Sequence, residues 1–387
     1  MFAFFITSGI FLGWSLGAND ASNVFGTAVA SRMIRFKTAA ICCSLFVIIG
    51  AVASGAGASH TLGKLGAVNA LAGAFIVALS AALSVYLMTK AGFPVSTSQA
   101  IVGAIVGWNL FSSSPIDSTS LVKITMTWLI CPILSGAIAV ILYGISASVI
   151  THCKIHMFRL DRYTRWSLLI AGIFGSYSLG ANNIANVMGV FLPVSPFEPL
   201  TLWGISFTPA QQLFFIGSLA IAIGVMTYSK RVMMTVGSGI VELSPVAASV
   251  VVWSHSIVLF LFSSQTLESF LINHGLPAIP LVPVSSSQAV VGAVMGIGLL
   301  KKGLWSIKWK MVGGIASGWV TTPIIAAGVC FISLFFLQNV FQQQVYLPAP
   351  ESLAAPVKIE GIKISKPIFK NTVSEHPSTR EHLNTNI

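Results

Sequence analysis

Two short polar motifs, each present twice, hold the residues of this chain that could do chemistry. The first, Gly17-Ala18-Asn19-Asp20-Ala21-Ser22-Asn23-Val24, returns as Gly180-Ala181-Asn182-Asn183-Ile184-Ala185-Asn186-Val187. The second, Pro94-Val95-Ser96-Thr97-Ser98-Gln99, returns as Pro283-Val284-Ser285-Ser286-Ser287-Gln288. All four lie in apolar stretches. There an ionisable group is costly and marks a functional site by default.

The first motif has the make-up of a cation site. Asp20 supplies a carboxylate, Asn19, Asn23, Asn182 and Asn186 supply amide oxygens, and the adjacent glycine eases a local unwinding that frees backbone carbonyls. Hard cations take such oxygen ligands, and the set suits sodium or a proton equally. Hydrogen bonding between packed helices is the plainer use of the same residues.

The second motif has the make-up of an oxyanion site. Pro94 and Pro283 cannot continue a preceding helix but are well placed where one begins. The hydroxyls that follow can cap the new helix, while its free N–H groups point away from the start. Positive dipole ends and unpaired donors favour an oxyanion. Two such starts would present Ser96, Thr97, Ser98, Ser285, Ser286 and Ser287 around one tetrahedral ligand. Gly103, Ala104, Gly107, Gly292, Ala293 and Gly296 just beyond suit close helix packing. Ordinary proline-kinked helices with self-satisfied hydroxyls are the alternative.

The elements that must hold these motifs are membrane helices. Of 387 residues, 55% are hydrophobic and only 8% charged, against roughly 25% charged in a soluble domain. Uncharged runs cover 39–59, 65–89, 124–151, 166–197, 199–229 and 311–350, each able to supply the ~20 residues that a spanning helix needs. Residues 2–13 have neither the basic flank nor the cleavage signal of a leader and are expected to form a retained first helix.

The net charge of +11 does not point to nucleic acid, because the basic residues flank apolar runs. They form four clusters: Arg32, Arg35 and Lys37; Lys154, Arg159, Arg162 and Arg165; Lys230 and Arg231; Lys301, Lys302, Lys308 and Lys310. One topology puts all four inside under the positive-inside rule. It has both termini outside and one re-entrant hairpin in each half, leaving Lys64 and Lys123 in outer loops and Lys90 near the first bend. A third, weaker pair, Trp128 with Pro132 and Trp319 with Pro323, follows in the same order. If each half crosses an odd number of times, the repeats are inverted, a recurrent plan of secondary transporters with the site at the repeat interface. The expected fold is therefore an all-α integral membrane protein of two inverted-topology repeats, each with transmembrane helices and a re-entrant helical hairpin. Its divisions are a first repeat over 1–150, a basic cytoplasmic linker over 151–166, a second repeat over 167–341 and a polar tail over 342–387.

At its paired motifs, over about residues 1–340, the sequence resembles the inorganic phosphate transporter family. Members carry a Gly-Ala-Asn-Asp-x-x-Asn signature and a Pro-Val-Ser-Thr-Thr-like signature in each half. The resemblance implies phosphate symport with sodium or protons, an elevator-like movement, a homodimer and the cell membrane. It assigns Asn19, Asp20, Asn23, Asn182, Asn183 and Asn186 to the cation site. Ser96, Thr97, Ser98, Ser285, Ser286 and Ser287 fall to the oxyanion site, where Gln99 and Gln288, or a serine, could supply an acceptor for a phosphate hydroxyl. No cofactor is expected beyond bound sodium.

Three departures bear on this assignment. Asn183 stands where the family usually has a second Asp, Gln99 and Gln288 replace a common His, and His60 occupies a commonly acidic position. Coupling number and cation identity therefore stay open. Because the family includes sulfate permeases, a sulfate or other oxyanion cargo stays open too. A channel is a rival class, and so is an enzyme acting on phosphoryl groups, although nothing here forms a nucleophile with a base. His152, His156, His255 and His274 read as packing or interface residues, and Cys42, Cys43, Cys131, Cys153 and Cys330 show no metal or disulfide spacing.

Overall fold

Inside a bilayer every backbone polar group has to be satisfied within the protein, which leaves helices as the solution for a chain with this pattern. The computed structural model describes residues 1–347 except 67, 91–94, 203, 240–242, 304 and 306. Pro94, the side chain of His60 and the tail beyond Leu347 thus lie outside the described residues. The first half runs α1 (Phe2–Phe5), α2 (Thr7–Asn19), α3 (Ser22–Ala30), α4 (Phe36–Ser54), α5 (Ala56–Leu65), α6 (Leu71–Lys90), α7 (Thr97–Ser112) and α8 (Ser118–His152). In the second half come α9 (Met157–Met188), α10 (Pro209–Gly239), α11 (Pro245–Leu261), α12 (Gln265–Asn273), α13 (Ser286–Lys302) and α14 (Trp309–Asn339). A small hairpin, β1 (Leu200–Leu202) with β2 (Ile205–Phe207), sits between α9 and α10.

Among the described residues seven helical stretches are long and apolar enough to span a membrane, or eight if α11 and α12, bent by 67°, count as one. The long helices α8 and α14 turn Leu129, Ile133 and Ile141, and Val320, Ile324 and Ile332, outward. Exposed aliphatic side chains on that scale belong against lipid. This is an integral membrane protein.

The two copies of the Asn motif differ in backbone. In the first, the helix breaks between Asn19 and Ser22, where Ala21 N–H reaches back to the Leu16 carbonyl at 3.1 Å. That five-residue reach is the local widening often found at functional sites. In the second copy α9 runs unbroken through Gly180 to Asn186, so the expected unwinding is realised in only one half.

The serine motifs do start helices. Ser96 accepts from Gln99 N–H at 3.3 Å to cap α7, and Ser285 accepts from Gln288 N–H at 3.2 Å to cap α13. At 16 and 17 residues, these helices rise about 24–26 Å, short of the ~30 Å hydrocarbon core.

The glycines beyond each motif explain how the halves lock together. A Cβ on Gly103 would lie 2.2 Å from the Pro323 carbonyl oxygen of α14, and one on Gly292 would lie 2.1 Å from that of Pro132 in α8. Each serine-capped helix therefore packs against the proline turn of the long helix in the other half. Gly103→Ala or Gly292→Ala should lower the thermal midpoint of the purified protein, since forcing a methyl into a filled interface costs about 1–3 kcal/mol. Gly313→Ala, which meets nothing within 4 Å, should not. Equal midpoints for all three would show that the contacts relax freely.

Candidate functional site

The helix break leaves the Asp20 side chain facing the start of α7, where one carboxylate oxygen accepts the Thr97 N–H at 3.0 Å. A carboxylate on a helix N-terminus is held by both the free donor and the dipole. From the other half, Ser286 donates to the Asp20 carbonyl oxygen at 3.1 Å, and the Asn23 amide donates to Ser286 Oγ at 3.4 Å. The first Asn motif thus touches both serine motifs.

The second Asn motif does the same. Asn186 donates to Ser98 Oγ and to Asn183 Oδ1, both at 2.8 Å. The hydroxyl of Ser98 points to the Val284 carbonyl at 3.0 Å and to Asn183 Oδ1 at 3.2 Å. Since Val284 leads directly into α13, this contact brings the two helix starts together. Ser285 and Ser287 meet each other at 3.1 Å.

Asn19 and Asn182 are spent on holding backbone and neighbours. The Asn182 oxygen accepts Val284 N–H at 2.8 Å, and its amide donates to the carbonyls of Val282 at 3.0 Å and Phe262 at 3.3 Å. Asn19 donates to Thr89 Oγ1 at 2.6 Å. These bonds tie each Asn motif to the segment that precedes a serine-capped helix.

The cluster is closed to solvent, with Ser96 at 0%, Asp20 at 1% and Gln288 at 4% exposure. Within it, the second oxygen of Asp20 and the side-chain oxygens of Asn23, Asn186, Gln99 and Gln288 have no hydrogen-bond partner among the described residues. Asn183 Nδ2 is also unpartnered. Leaving a buried polar atom unpaired costs about 1–3 kcal/mol, so this concentration is what a site completed by ligands would show. Carboxylate and amide oxygens suit a cation, and hydroxyl and backbone donors suit an anion.

One residue in contact with the cluster escapes sequence reasoning. His255 is fully buried on α11, and its Nε2 lies 2.9 Å from Ser286 Oγ. It belongs to neither repeated motif, and no sequence spacing pairs it with Ser286. His152, His156 and His274 stay at exposed positions.

Beyond the cluster lies a polar cavity of about 370 Å³, lined by Lys64, Lys123, Asp117, Glu268 and the backbone-bonded Val282. Asp117 caps α8 there, and its bond from Ser120 at 2.6 Å holds the carboxyl below the usual carboxylate range. By contrast, a cavity of about 900 Å³ between α8, α13 and α14, lined by Pro132, Gly292 and Trp319, is almost wholly apolar. It offers an anion nothing.

Comparison with known proteins agrees with this architecture. A "Putative phosphate permease" of Methanocaldococcus jannaschii is 30% identical over 324 residues, covering 83% of this chain and 93% of that protein. The sulfate permease CysP of Bacillus subtilis is 26% identical over 95% of this chain and 96% of its own length. A solved structure named the sodium-dependent phosphate transporter superposes with a TM-score of 0.69 at 21% identity, covering 88% of this chain and 99% of that one. The profile of the phosphate transporter family matches residues 16–330 and 278–375. The chain is a member of the phosphate transporter family.

Proposed function

We propose that this protein imports inorganic phosphate by symport with sodium or protons, carrying both in the buried cluster by alternating access of elevator type. The observation behind this reading is the meeting of two serine-capped helix starts with the Asp20 motif in one closed cluster. Sodium is favoured by the structural neighbour, which is named for its sodium dependence. The two repeats would be inverted, with α7 and α13 as the returning arms of re-entrant hairpins, and the protein would work as a homodimer in the cell membrane.

Charge bookkeeping supports coupling. Each helix start contributes about +0.5 and Asp20 contributes a single negative charge, so the cluster's own charges come near to cancelling. A hydrogenphosphate dianion would leave it strongly negative in a low-dielectric site, which two monovalent cations offset. The unpartnered oxygens of Asp20, Asn23 and Asn186 are the ligands available to them.

Phosphate is favoured over sulfate by the unpartnered oxygens of Gln99 and Gln288. Hydrogenphosphate carries a P–OH that can donate to such an acceptor, whereas sulfate carries no proton. The second reading is a sulfate permease, favoured by the Bacillus subtilis relative, which matches nearly the whole chain. Flux into proteoliposomes tests the transport class. Saturable uptake that rises with an inward cation gradient supports the carrier, and an unsaturating current or a chemically altered product would contradict it.

The family departure at Asn183 gives a further expectation. Asn183→Asp adds a negative charge beside Ser98 and Asn186 and raises the demand for cations. Uptake against sodium concentration and against pH should then show a higher Hill coefficient or a lower half-saturating cation concentration. Curves that match the wild type would place position 183 outside the cation site.

A further inference from the structure

His255 lies outside both repeated motifs, yet it makes direct contact with one of their central hydroxyls. The two serines that flank it on α11 already have acceptors. Ser254 donates to the Val250 carbonyl at 2.8 Å, and Ser256 to those of Val252 at 2.7 Å and Ala171 at 3.0 Å. The imidazole is thus the group α11 offers to the start of α13.

Hydrogen-bond bookkeeping fixes its role. A serine hydroxyl has one proton and two lone pairs. Ser286 Oγ has three partners here: the Asp20 carbonyl at 3.1 Å, the Asn23 amide at 3.4 Å and His255 Nε2 at 2.9 Å. The carbonyl can only accept, so the serine proton goes to Asp20. An amide N–H can only donate, so Asn23 fills one lone pair. His255 must then fill the other as an Nε2–H donor, which makes Nδ1 the bare nitrogen, and Nδ1 is buried with no partner among the described residues. The bond from Asn23, at 3.4 Å, is the longest of the three, so a turn of the hydroxyl about Cβ–Oγ that keeps the His255 bond gives up Asn23 and carries the proton off Asp20.

We propose that His255 is a positioning residue of the oxyanion site, whose Nε2–H holds Ser286 Oγ so that the serine proton swings from the Asp20 carbonyl to the bound oxyanion. Loading the anion thereby releases the Asp20 carbonyl oxygen as a ligand for the cation. This gives a physical link between anion and cation occupancy that passes through one hydroxyl. The inference rests on the reading of the cluster as an oxyanion and cation site.

The test uses the full chain in proteoliposomes, with labelled phosphate and labelled sulfate as probes, and reads KM and maximal rate separately. His255→Leu should raise the oxyanion KM about tenfold, as loss of one bond that tunes an anion contact would, with the maximal rate retained. It should also raise the half-saturating cation concentration. Ser286→Ala should raise KM too, and adding His255→Leu to it should raise KM no further, because the histidine acts through that hydroxyl. His255→Gln, whose amide can reach the same oxygen, should recover most of the affinity lost in His255→Asn, which is too short; this pair keeps the test valid if the leucine variant does not fold. A wild-type KM in His255→Leu, multiplying effects in the double variant, or equal behaviour of Gln and Asn would each overturn the proposal. Wild-type protein that takes up neither anion would overturn the transport reading itself, a result visible before any variant is compared.

Discussion

Asp20→Asn should abolish cation-driven uptake while the protein still folds. The side chain is 1% exposed, one oxygen is bonded to Thr97 N–H and the other has no partner among the described residues. Asparagine keeps the shape and can still accept from Thr97, so the start of α7 keeps its contact. The charge is what disappears. Two unit charges 4 Å apart attract by about 4 kcal/mol at an effective dielectric of about 20, roughly a thousandfold in affinity. Uptake under an imposed sodium or pH gradient measures the loss, and size-exclusion and thermal profiles report the fold. Undiminished cation dependence in the variant would remove Asp20 from the cation site.

The hydroxyls of the serine motifs should divide into binding and capping roles. Thr97→Val leaves Asp20 its bond from the Thr97 N–H and removes only the buried hydroxyl. It should raise the phosphate KM about tenfold, because a hydrogen bond to a charged group is worth about 1.5–3 kcal/mol, and leave the thermal midpoint where it was. Ser286→Ala should weaken phosphate by several-fold to about a hundredfold on the same reasoning. Ser96 differs, because its oxygen caps α7 by accepting from Gln99 N–H. Ser96→Ala should therefore cost stability as well, about 1 kcal/mol for a lost cap, seen as a lower midpoint alongside the higher KM. Wild-type KM values in all three variants would take these hydroxyls out of the site.

Much of this was legible in the sequence because it is written in residue types with few other uses at membrane depth. Asp20 within an apolar run and the doubled Ser motifs needed no neighbour to be noticed, and the structure joins them through the Thr97, Ser286 and Ser98 contacts. The glycines at 103 and 292 were legible for the same reason, since small residues in register allow close approach. Their partners were not, because the Pro323 and Pro132 carbonyls lie far away along the chain. His255 was invisible on similar grounds: its partner is set by the packing of α11 on α13, a tertiary choice with no local signature. The unequal backbone of the two Asn motifs was hidden too. Gly17 and Gly180 read alike, yet the break follows Asn19 alone, where Asp20 meets Thr97 with its side chain and Ser286 with its carbonyl, while α9 continues past Asn183, which meets Ser98.

The central claim is that one buried cluster binds phosphate and a cation together. The most direct measurement is labelled phosphate uptake into proteoliposomes, competed by unlabelled phosphate, arsenate and sulfate, with and without a sodium gradient and a pH gradient. Uptake should be saturable and should collapse without a cation gradient. Phosphate and arsenate, which can both donate a proton to Gln99 or Gln288, should suppress it strongly, and sulfate weakly. Uptake indifferent to both gradients, or sulfate competing as well as phosphate, would contradict it.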